Sequence, residues 1–196
     1  MLIEKLAQFW SVSDQLPAEV DVISFAGFGA TKDRLTRGAQ ESVNVGQDLL
    51  VHYPNARVVF GVFTCSPDPS LEERAKKDTF KDAIFVGDVI STIEEAEKIR
   101  ATFPPDFVPR GIIFVTDEWH SRSAKLVWRN VWKDVVSPSN VRIVTIPARE
   151  SIDEESPMVF GRRHWTWALV NVLRHLFLVC VPGSMWLMKK FNIHQP

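Results

Sequence analysis

The stretch GIIFVTDEWHSRSAKLVWRNVW, residues 111–132, decides the fold. Its opening GIIFVT (111–116) is a short β-branched run begun by Gly, which reads as a buried strand. The closing SRSAKLVWRNVW, from Ser121, has helical spacing. Between the two stand Asp117, Glu118, Trp119 and His120, so a buried strand delivers an acidic pair, a ring and an imidazole to the start of a helix.

Working outward, the same strand-then-helix unit recurs. VDVISFAG (20–27), ARVVFGVFT (56–64), AIFVG (83–87) and VRIVTIP (141–147) are further apolar, β-branched runs bounded by Gly, Pro, Asn or Asp. Helical spacing fills the gaps, from Lys32 to Tyr53, from Ser70 to Phe80 and from Thr92 to Phe103. Alternation of this kind predicts one α/β domain: a Rossmann-like, doubly wound parallel sheet of about five strands with helices on both faces. Residues 1–19 are expected to form a docked N-terminal helix over Leu2 to Trp10, residues 20–150 the α/β body, and residues 151–196 a polar loop and an apolar helix packing on that body.

A chain of 196 residues, 45% hydrophobic and 24% charged, has the composition of one domain with a full core. Lys and Arg number 23 against 24 Asp and Glu, which removes the electrostatic argument for nucleic acid as a partner. Cys65 and Cys180 lie far apart without a C-x-x-C, and neither the carboxylates nor the histidines show metal-ligand spacing, so no metal is expected. Glu4 and Lys5 interrupt the N-terminal apolar run, unlike a signal peptide, and the expected location is cytoplasmic.

In open α/β sheets ligands bind beyond the carboxyl ends of the strands, where strand order reverses. That rule selects Thr116, Asp117, Glu118 and His120 after one strand, Gly27 and Gly29 after another, Thr64 after a third, and Ser91 with Thr92 after a fourth. His120 is a candidate general acid or base, with Asp117 or Glu118 to orient it. Arg34, read as lying in the first turn of its helix, and Arg122 are candidates for holding an anion. Plainer accounts stand beside these: Asp117 or Ser121 capping a helix, Gly27 and Gly29 making an ordinary turn, Arg34 paired with Asp33, Glu73 or Asp88, and Ser91 with Glu94 forming a capping box.

These motifs together resemble the YdcF-like family, long classed as a domain of unknown function. The resemblance covers about residues 20–146, more weakly to His175. It rests on Gly27, Gly29 and Arg34, on Ser91, Thr92, Glu94 or Glu95 and Ala96, and above all on Val115, Thr116, Trp119, His120, Ser121, Arg122 and Ala124. It implies a Rossmann-like fold and an anionic small molecule, either a nucleotide-like cofactor such as S-adenosylmethionine or a phosphorylated cell-envelope intermediate. The chain departs from the family pattern at Ser123, where relatives carry Arg, in the GVFTCS loop (61–66), and at Val172, which comes after the retained Asn171 in place of Glu.

The segment from Arg162 to Phe191 is the most apolar and aromatic of the chain, with Trp165, Trp167, Leu169, Leu173, Leu176, Phe177 and Trp186. Arg174, His175 and the Pro182-Gly183 pair break it before a membrane span accumulates. Two readings are open: a last helix covering the sheet, or an interfacial helix giving peripheral membrane contact through residues 165–191.

Overall fold

The structure, a computed structural model, describes residues 2–190, and Phe191, at the end of the apolar segment, lies outside the described residues. Five parallel strands, β1 (Val22–Phe25), β2 (Arg57–Phe63), β3 (Ile84–Val89), β4 (Ile112–Asp117) and β5 (Val141–Ile146), form one sheet in the order β3-β2-β1-β4-β5. The helices are α1 (Leu2–Trp10), α2 (Arg37–His52), α3 (Pro69–Thr79), α4 (Thr92–Ala101), α5 (Ser121–Trp132), the short α6 (Ala148–Ser151), α7 (His164–Cys180) and α8 (Ser184–Lys190). This is a three-layer, Rossmann-like α/β domain. Each parallel crossover needs a helix, and burial of both sheet faces explains why β1 and β4 are buried at every position.

The predicted strands all form, and their ends move by no more than two residues. The largest displacement is at α2, which starts at Arg37 rather than near Lys32. Thr36 is the reason: its Oγ1 accepts from the Ala39 N–H and caps the helix, while Ala30 and Leu35 pair across a tight loop before it. Arg34 therefore sits in that loop and not in a helical first turn. Gly29 makes the loop possible, with φ of +81° and only 2.6 Å between the place of a Cβ and Ser66 Oγ.

Two attachments complete the body. The N-terminal segment is tied to α5 and β5: Trp10 Nε1 donates to the Trp119 carbonyl at 3.0 Å, and Asp14 joins Lys125 and the Ile143 N–H. Beside it, touching Trp10 through His175, α7 lays Trp167, Ala168 and Asn171 inward against α5 and the β4 end. The stretch read as a polar loop after residue 150 follows directly on α6 and contains a 3-10 turn over Val159–Arg162, and its Asp153 is buried.

Candidate active site

β1 lies between β2 and β4, and the chain leaves β1 toward β2 but enters β4 only after β3. The loops beyond β1 and β4 therefore diverge to opposite sides, opening a crevice at the carboxyl edge. The space enclosed there is small, about 40 Å³, and opens to solvent. Gly27 and Phe28 come directly after β1, Ser91, Thr92 and Glu95 come from the start of α4, Thr116, Asp117 and His120 from β4 and its turn, and Met158 and Trp167 form the roof.

His120 is held at both ring nitrogens. Asn171 Nδ2 donates to the Trp167 carbonyl at 2.9 Å, which turns its Oδ1 toward His120 Nδ1 at 2.8 Å. An amide oxygen only accepts, so the ring proton sits on Nδ1. Nε2 is then an acceptor, and the Thr92 hydroxyl, 2.9 Å away, donates to it. Burial, with Arg174 nearby, pushes the imidazole down to about 3 against the stabilising bond from Asn171, so it is neutral at pH 7.

Asp117 does not orient His120 through its ring. Its Oδ1 instead accepts three N–H groups, from the backbones of Trp119 and His120 and from Trp167 Nε1, shaping the turn between β4 and α5. Its Oδ2 is buried and has no partner among the described residues. Burial pushes this carboxyl up to about 6, opposed by the same N–H groups. Glu118 is directed elsewhere, accepting from the Ala148 N–H at 2.9 Å and fixing the start of α6.

The charged candidates divide in the same way. Arg34 forms a two-pronged pair with Asp153, at 2.7 and 3.1 Å, and reaches Glu155 at 2.9 Å, in an open hollow away from the crevice. Neither Asp33, Glu73 nor Asp88 is its ion-pair partner. Arg122 Nε donates to the Trp10 carbonyl and its guanidinium stacks over the Trp10 ring at 5.0 Å, so it fastens α1. Gly29 and Thr64 also lie outside the crevice lining, Thr64 donating its N–H to the Val89 carbonyl. Gly27, Ser91, Thr92, Thr116, Asp117 and His120 are the sequence candidates brought together. Ser91 also caps α4, accepting from the Glu94 N–H, while Glu94 returns a bond to the Ile90 N–H. Ser123 is buried within α5 and does not line the crevice.

Sequence reasoning missed a second cluster. Glu72, Lys76 and Glu95 are all buried, with Lys76 Nζ 2.8 Å from Glu72 Oε1 and 5.1 Å from the Phe60 ring. Two carboxyls share one ammonium, and Glu95 takes the consequence. Burial pushes it up to about 8 against the pull of Lys76 and the Gly61 N–H, and Glu72 adds to the rise. Glu95 Oε1 is unpartnered and Glu95 lines the crevice. The signal is present in α4, where Thr92, Glu95, Ala96 and Ile99 share one helical face, placing a carboxyl on the buried stripe. Asn171 is a match to the family pattern, but its partner lies 51 residues away in sequence and no local pattern links them.

No cationic side chain lines the crevice, but the buried Arg174 acts on both Asp117 and His120 from beside it; the phosphates of a nucleotide would face the Asp117 carboxyl. For S-adenosylmethionine, the unpartnered Asp117 oxygen would accept from its amino or ribose donors, while no lining side chain would meet its carboxylate, and the enclosed space is far smaller than the molecule. Comparison of the chain with family models, curated proteins and solved structures finds no match in any of the three.

Proposed function

We propose that this is a YdcF-like protein that binds a small polar molecule in the crevice between β1 and β4 and acts on it by transfer or hydrolysis, with His120 as the base. The observation that carries the reading is the hydrogen-bonded chain from Asn171 through His120 to Thr92, which ends inside the crevice. In this fixed tautomer Nε2 presents its lone pair to the Thr92 hydroxyl, and burial that holds the imidazole down at about 3 makes it a weak base until a bound substrate changes its surroundings. The rest of the lining argues about the ligand. Asp117 Oδ2 is a buried acceptor without a partner, and Glu95, pushed up to about 8 and so protonated at pH 7, leaves its Oε1 unpartnered beside it; such groups are normally satisfied. They favour an uncharged ligand bearing hydroxyl or amino donors over the anion that the family resemblance implies.

The test is a thermal-shift panel of neutral esters, sugars, nucleosides and S-adenosylmethionine beside the matching sugar and nucleoside phosphates. A compound at a hundred times its dissociation constant adds about 2.7 kcal/mol. Neutral, donor-bearing compounds are expected to stabilise, with the shift lost in Asp117→Asn. Stabilisation by the phosphates alone, abolished by Arg34→Ala, would overturn this reading in favour of an anion site.

A second reading has its own observation. Trp165, Leu169, Leu173, Leu176 and Val179 lie exposed along one face of α7, Trp186 is exposed on α8, and Arg162, Arg163, Lys189 and Lys190 stand at the two ends. Among the described residues no single helix is long and apolar enough to cross a membrane, and α7 and α8 are bent by 119°. An aromatic, basic-flanked face of this kind suits the surface of an anionic bilayer. Sedimentation with vesicles of mixed anionic and zwitterionic phospholipid is expected to carry the protein down. Retention in the supernatant at low salt would remove this reading.

A further inference from the structure

We infer that Thr92 is a covalent nucleophile and that the group it accepts is an uncharged acyl group, held as an ester on Oγ1. The inference rests on the proposal that the crevice is catalytic, and goes on to name the attacking atom and the electrophile.

Three observations converge on Thr92. Its Oγ1 lies 2.9 Å from His120 Nε2, and Nδ1 of the same ring lies 2.8 Å from Asn171 Oδ1. Nucleophile, base and orienting group in hydrogen-bond reach of one another is the arrangement that activates an unionised hydroxyl. The orienting group is itself fixed by the Trp167 carbonyl, so the tautomer that leaves Nε2 open toward Thr92 is built into the fold. Second, Thr92 is the first residue of α4 and is only half-buried, so its hydroxyl opens on the crevice at a helix amino terminus. The Glu94 N–H is taken by Ser91 Oγ and the Glu95 N–H by the Ser91 carbonyl. The N–H groups of Thr92 and Ile93 have no acceptor among the described residues and carry the positive end of the helix dipole, where negative charge is stabilised. Third, the crevice contains ligand-directed groups besides that terminus, the buried and unpartnered Asp117 Oδ2 and Glu95 Oε1.

The electrophile is chosen by charge. A phosphoryl group would bring negative oxygens beside Asp117 with no Arg or Lys among the lining residues to meet them. A carboxylic ester or thioester is neutral in the ground state and becomes anionic only at its carbonyl oxygen, which is where a helix amino terminus acts. In the first half-reaction the bond from Oγ1 to the acyl carbon forms as the hydroxyl proton passes to Nε2. Collapse of the tetrahedral adduct breaks the bond to the leaving group, which takes that proton from His120. In the second half a water gives its proton to Nε2 as it attacks. Thr92 Oγ1 then leaves and recovers the proton, releasing the carboxylic acid and restoring the resting state. An alcohol or amine in place of the water makes the same cycle an acyl transfer.

p-Nitrophenyl acetate tests this, because its leaving group departs without a strong acid and a slow deacylation lets the intermediate accumulate. The expected result is a burst of p-nitrophenolate of about one equivalent, with one acetyl group on Thr92 located by fragmenting the tryptic peptide spanning residues 82–98. Thr92→Ser should keep the burst and the label, Thr92→Val should lose both, and His120→Ala should slow the burst about a hundredfold or more. Circular dichroism verifies that each variant is folded, and Thr92→Ser decides if Thr92→Val is not. Turnover that needs His120 but survives in Thr92→Val, with acetyl absent from Thr92, would overturn the nucleophile and leave His120 acting on water in the same crevice. Turnover indifferent to both residues, with acetyl on lysines only, would overturn the nucleophile and the catalytic crevice together.

Discussion

At the scale of single residues, the buried titratable groups of the crevice give stability a defined pH dependence. Glu95 is pushed up from 4.5 to about 8, so the unfolded chain ionises first and folding loses free energy as pH rises from about 4.5 to 8. Asp117, pushed up from 3.8 to about 6, acts in the same direction over its own lower window. His120 acts oppositely: pushed down from 6.5 to about 3, it loses stability as pH falls from about 6.5 to 3, where the unfolded imidazole protonates first. Between pH 6.5 and 8 Glu95 carries most of the change, a loss on the order of 1 to 2 kcal/mol. Urea denaturation of Glu95→Gln is expected to lack this slope. An unchanged slope in the variant would remove the raised carboxyl from the account.

At the scale of elements, the loop from Ala30 to Leu35 separates the legible from the illegible. The helix after β1 is readable from its apolar period, but its start is misplaced because Lys32, Asp33 and Arg34 look as helical as the residues beyond Thr36. Only the Thr36 cap and the pairing of Arg34 with Asp153 settle it, and that pairing spans 119 residues. Thr36→Ala is expected to lower stability by about 1 kcal/mol. Arg34→Ala is expected to lower it by about 1–3 kcal/mol, because the side chain is 44% exposed but its loss leaves the buried Asp153 with only backbone N–H partners, and to leave binding in the crevice unchanged. Chemical denaturation of each variant measures both effects, and a loss of several kcal/mol in Arg34→Ala would show that the loop does more than close on Asp153. Gly46 is a packing counterpart: a Cβ there would stand 2.5 Å from the Phe25 ring, so Gly46→Ala should destabilise by about 1–3 kcal/mol despite its better helix propensity.

At the scale of the whole molecule, strand periodicity and the rule of right-handed crossovers make the sheet predictable, because every strand carries its own signal. The switch-point crevice comes from strand order alone, and Gly27, Ser91, Thr92, Thr116, Asp117 and His120 do converge there. Sequence does not yield which charged residues face inward. Arg34 and Arg122 are partnered by residues from the last and first segments of the chain, and Glu72, Lys76 and Glu95 meet from α3 and α4. Those meetings depend on tertiary packing, not on any spacing within one element. The exposed face of α7 belongs to this scale too: Leu173→Glu should change stability by no more than about 0.5 kcal/mol and abolish vesicle binding.

The central claim is that His120 is locked as a neutral imidazole between Thr92 and Asn171. Long-range proton–nitrogen NMR correlation of the histidine rings, followed over a pH titration of the folded protein, measures it directly. The account predicts that His120 carries its proton on Nδ1, with Nε2 unprotonated, and remains neutral down to about pH 4. A proton on Nε2, or a titration midpoint near the ordinary 6.5, would contradict it.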